Sequence, residues 1–164
     1  MQFRAEQYYQ ASLERMGQAR KIYQEGRSFA LAMYCGGLAV ECLLRAFRWT
    51  KDATFEGRHD LSELLRASRL LKIDDEYMQR QRASEEEIRD SGLALRRAMD
   101  EIALLWHNNL RFASEASLKA FLSGIGRLRG VRGDPSKKNA LNLLDAAQIV
   151  IDRGVVLWAS LKKS

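Results

Sequence analysis

Residues 29–47, FALAMYCGGLAVECLLRAF, constrain the fold of this chain more than any other stretch. They are apolar or small on nearly every side for about five helical turns, the pattern of a helix enclosed by other helices rather than laid on a surface. Only two charges interrupt the run. Glu41 and Arg45 stand four residues apart with the acid first, which lets them pair along one helical face. Tyr34, Gly37, Glu41, Arg45 and Arg48 fall at helical steps and predict one narrow polar stripe on an otherwise apolar cylinder. A buried ion pair is a poor source of stability, because desolvating both charges can cost more than their attraction returns. The stripe is therefore expected to face a cleft or an interface, or to orient a neighbouring helix.

The uncharged part of this run, residues 29–40, is shorter than the roughly twenty residues needed to cross a bilayer, so a buried helix is expected and no membrane partner. Cys35 and Cys42 lie on the same helix, and helical rise sets their α-carbons roughly 10 Å apart, too far for a disulfide. They read as packing thiols in a reducing cytoplasm. The N-terminal MQFRAEQYYQ lacks the apolar run of a secretory signal, which also points to a cytoplasmic location.

The chain has 164 residues, 46% hydrophobic and 29% charged, with a single proline, and Leu, Ala, Arg and Glu dominate it. This composition predicts one all-α domain. A first helix is expected over residues 3–24, ended by Gly26, with Ser28 capping the buried helix, so that the two form a tight hairpin. His59 and Asp60 introduce a short helix over residues 61–71, with either residue placed to cap it. Ser84 and Glu87 form a capping box before a long helix carrying Ile88, Leu95, Met99, Ile102 and Trp106. Ser114 is expected to cap a short helix to about residue 125, and Ser136 the last one. There, Ala140, Leu144, Ala147, Ile151, Gly154, Trp158 and Leu161 repeat at four and three and predict a narrow seam.

The net charge of +6 favours contact with nucleic acid or nucleotides. The most basic stretch is RLRGVRGDPSKK at residues 127–138, in which Arg127, Arg129, Arg132, Lys137 and Lys138 face a single Asp and Gly130, Gly133 and Pro135 break the helix. It reads as a phosphate-contacting loop or as a solvated connection. The two His and two Cys do not fall at zinc spacing, so no metal and no cofactor is expected. The acidic runs at residues 74–76 and 85–87 read as solvated helix starts rather than acid–base pairs.

GGLAVECLLRAF on the second helix, GRHDLSELL opening the third, and a long helix ending in Trp106 with Arg111 and Phe112 just beyond together resemble the HEPN domains of prokaryotic proteins, over residues 5–112. The resemblance implies an up-and-down bundle of four to five main helices plus short ones, commonly a homodimer, that binds RNA or nucleotides and is often encoded beside a minimal nucleotidyltransferase. It also implies kinship with metal-independent endoribonucleases of toxin–antitoxin and defence systems, which carry an Arg followed after four to six residues by a His. Such an arrangement supplies a proton carrier and a fixed cation for cleavage by the 2′-hydroxyl.

Neither His59 nor His107 has an arginine at that spacing. His107 and Arg111 stand in the reverse order, and on a helix they would share a face with Asn108 nearby. Three readings follow. The first is a non-catalytic module binding RNA or nucleotide phosphates through Glu41, Arg45, Arg48, His59, Asp60, His107, Asn108, Arg111 and the basic loop. The second is a ribonuclease using His107 or His59 with Arg111. The third is a helical partner protein, for example of a nucleotidyltransferase-like enzyme.

Overall fold

The computed structural model describes residues 3–52 and 59–162. Its elements, in order, are α1 (Ala5–Glu25), α2 (Phe29–Trp49), α3 (Leu61–Ser68), α4 (Leu70–Arg80), α5 (Glu85–Leu105), a 3-10 turn at Asn108–Phe112, α6 (Glu115–Gly124) and α7 (Pro135–Leu161). No strand occurs among the described residues, and the chain is an all-α bundle.

α2 is the axis of this bundle. It packs against α1, α3, the 3-10 turn, α6 and α7, and its buried residues run round the whole cylinder from Phe29 to Phe47. The helix is long and apolar enough to cross a membrane, yet 72% of its most apolar window is buried inside the bundle. Gly26 ends α1 in the left-handed region at φ 68, and Ser28 Oγ accepts the Leu31 N–H at 3.2 Å. With so short a connection, two helices in contact along their length must run antiparallel.

The helix expected over residues 61–71 is two helices. Arg69 adopts φ 57 and is at once the C-cap of α3 and the N-cap of α4. Ser68 supports the break: its Oγ donates to the Leu65 carbonyl at 2.8 Å and accepts the Leu70 N–H at 3.2 Å. A non-glycine residue at positive φ carries no sequence signature, so the residues alone do not reveal the break. The break redirects α4 so that Asp74, expected to be solvated, is fully buried. It pairs with Arg153 of α7 and accepts Ser91 Oγ of α5 at 2.8 Å, tying three helices together.

The capping boxes and turns of the second half follow the sequence more closely. Ser84 and Glu87 form the reciprocal box at the start of α5, and Ser114 Oγ accepts the Ser117 N–H at 3.1 Å at the start of α6. The cap of α7 is Asp134 rather than Ser136: its carboxylate accepts the Ser136 N–H at 2.9 Å, and Pro135 begins the helix instead of breaking one. Nor is the α7 seam narrow. Leu143, Ala146, Val150 and Leu157 are buried beside the predicted row, because this helix meets α1, α2, α4, α5 and α6 at once.

Candidate functional site

Glu41 does pair with Arg45, at 2.8 Å, but the polar stripe is not an open one. Glu41 is only 2% exposed. Gly37 is filled from outside the helix: a β-carbon there would overlap the Trp106 indole, whose Nε1 donates to the Tyr34 carbonyl at 3.1 Å. Glycine at this position is what allows the end of α5 to close on α2. Arg48 pairs at 2.7 Å with Asp52, three residues beyond the end of α2.

The outlet of the stripe is His59. Its Nδ1 lies 3.0 and 2.8 Å from the two Glu41 oxygens, while its side chain is 52% exposed. Asp60, the next residue, caps α3 by accepting the Glu63 N–H at 2.9 Å. The start of α3 meets the end of α5 across a cleft of about 240 Å³, lined by His59, Asp60, Ser62, Trp106, His107 and Asn108 together with Leu61 and Ala103. The two histidines, distant in sequence, thus share one polar cleft.

Their hydrogen bonds place their protons oppositely. A carboxylate only accepts, so His59 Nδ1 carries the proton and its Nε2 is bare when the ring is neutral. His107 caps the 3-10 turn with Nδ1 accepting the Asn109 N–H at 3.2 Å, so in the neutral ring the proton sits on Nε2. One ring offers an acceptor and the other a donor. Asn108 Oδ1 is buried without a hydrogen-bond partner among the described residues, a third polar group at the same cleft.

The remaining predicted residues are elsewhere. Arg111 does not share a helical face with His107, since the helix has ended at Leu105. Its guanidinium lies 4.6 Å over the ring of Phe112, which is 76% exposed, and it does not line the cleft. Within the basic loop, Arg127 is held by Glu101, and its carbonyl accepts Asn139 Nδ2 at 3.1 Å. Arg129, Arg132, Lys137 and Lys138 are exposed. The Gly57–Arg58 part of GRHDLSELL lies outside the described residues. No group of three or more metal-ligating side chains occurs among the described residues.

Cys42, beside Glu41, has its thiol pushed up to about 11, chiefly by burial and secondarily by the Glu41 charge. Burial also raises Cys35. Since the thiolate is the reactive form, both cysteines should resist iodoacetamide near pH 8 in the folded protein and react rapidly after denaturation. The folded-state rate should climb as the pH approaches 11. Equal rates in the folded and unfolded states at pH 8 would contradict this burial.

No family model matches the chain, and neither a curated protein nor a solved structure does.

Proposed function

We propose that the chain is a HEPN-like module that binds RNA, holding a nucleotide in the cleft between the start of α3 and the end of α5. The observation that carries this reading is the convergence of His59, His107 and Asn108 on one polar cleft, with an acceptor ring, a donor ring and a buried amide oxygen. Such a set matches the mixed donors and acceptors of a ribose, a base edge and a phosphodiester. Among the described residues no Lys or Arg lines the cleft, and Arg45 is engaged by Glu41. These residues supply no fixed cation for a phosphorane, which favours binding over cleavage.

Fluorescence anisotropy with short labelled RNAs at about 50 mM salt tests this, the affinity falling steeply as salt is added. His107→Ala and Asn108→Ala should each weaken binding about tenfold, the loss of roughly one hydrogen bond to a charged or desolvated partner. Absence of any RNA affinity at this salt would overturn the proposal.

The opposite tautomers support a second reading. His59 Nε2 would take the proton from a ribose 2′-hydroxyl as its oxygen attacks phosphorus, and His107 Nε2–H would protonate the departing 5′-oxygen. The products are a 2′,3′-cyclic phosphate and a 5′-hydroxyl. Incubation with RNA in EDTA, analysed for these ends, separates this from binding alone; intact RNA would dispose of it.

A further inference from the structure

Among the described residues the cleft at the start of α3 holds polar groups but no Lys or Arg, whereas the other end of α3 is rich in them. At the far end of α3 a second recess, of about 190 Å³, is lined by Lys51, Arg69, Lys72 and Arg80, with Glu76 as its carboxylate and Ile73 and Leu161 as its apolar part. Glu76 lies 3.6 Å from Lys72, which leaves the recess lining with a net positive charge.

α3 connects the two. Ser62 lines the histidine cleft and stands four residues before Arg66, on the same face of the helix, and Arg69, the C-cap just past the end of α3, lines the basic recess. All three are exposed. Glu63, the neighbouring acid, falls roughly 100° round the helix from Ser62 and off this row. The distance from Ser62 to Arg69 along the axis is roughly 10 Å, a few nucleotides of single strand.

We propose that Ser62, Arg66, Arg69 and Lys72 form a phosphate track that leads a single RNA strand from the histidine cleft to the basic recess. This rests on the RNA-binding reading of the cleft and supplies the cations that the cleft's described lining lacks. Polar groups at one end select, and cations along α3 and the start of α4 give most of the affinity. Single-stranded RNA fits better than duplex, because the row is only about two helical turns long and flanked by an acid. Arg69, at positive φ, ends α3 and starts α4, on which Lys72 stays exposed at the basic recess while Asp74 goes inward.

The test compares a labelled UpU dinucleotide with oligouridylates of increasing length, using Arg66→Ala, Arg69→Gly and Lys72→Ala singly and combined. Glycine at position 69 keeps the left-handed backbone. Affinity should rise with length until the track is filled. The combined variant should lose that gain, at least tenfold, while binding UpU as the wild type does. Its slope of log affinity against log salt should fall by about 2, from roughly 0.7 for each of three cations.

Length-independent binding, or an unchanged slope in the combined variant, would overturn the track. Displacement of RNA by poly-glutamate of equal charge would overturn it in favour of an acidic peptide. UpU binding insensitive to His107→Ala would count against the cleft alone, since the track is read from the length and salt dependence.

Discussion

Glu41→Leu should destabilise the protein by about 3–5 kcal/mol, because it strips a buried counter-charge from the Arg45 guanidinium inside the bundle. The double replacement Glu41→Leu with Arg45→Met should recover most of that loss, since well-packed apolar side chains are at least as stable there as a buried pair. Urea denaturation of the four proteins completes the cycle and gives the coupling directly. A Glu41→Leu protein as stable as the wild type would show that the pair contributes nothing. RNA binding gives a separate readout. Both proteins that carry Glu41→Leu release His59 from the group that fixes its tautomer, so binding should weaken even where stability is regained. The pair is thus expected to matter more to the cleft than to the fold.

Trp106→Ala should cost about 3–5 kcal/mol, the usual range for removing a buried indole, and should take the wall of the cleft with it. Its partner Gly37 makes a sharper test. In the wild type Gly37→Leu places carbon atoms where the indole stands, and overpacking of this kind costs about 1–3 kcal/mol or more. In the Trp106→Ala background the same leucine enters the vacated volume and gains about 1 kcal/mol of helix propensity over glycine. The substitution should therefore change sign between the two backgrounds, destabilising one and stabilising the other. A loss of equal size in both would show that Gly37 serves only the backbone of α2.

Much of this architecture is readable from the residues because it rests on local rules. The buried α2, the Gly26 turn, the Ser84 and Ser114 caps and the Glu41–Arg45 pair each need only a few positions of sequence. Where tertiary contacts decide, the reading fails. Asp74 looks like part of a solvated acidic run, and only the break at Arg69 and a partner 79 positions away turn it inward. Arg111 looks like the companion of His107 only while the helix is assumed to continue past Leu105. The meeting of His59 with His107 has no sequence signal, since nothing in the spacing says that the start of α3 faces the end of α5.

The bond from Trp106 to Tyr34 spans 72 positions, whereas His59 reaches back only 18 to Glu41. Contacts of such different range form at different moments in the life of the chain, because the entropy of closing a loop must be met before a distant contact rewards it. During synthesis the α1–α2 hairpin and the Glu41–His59 contact are within reach as soon as α3 has emerged. The second wall of the cleft arrives only with the end of α5. A nascent or truncated chain has therefore no complete cleft, and its two walls face each other only when the bundle closes.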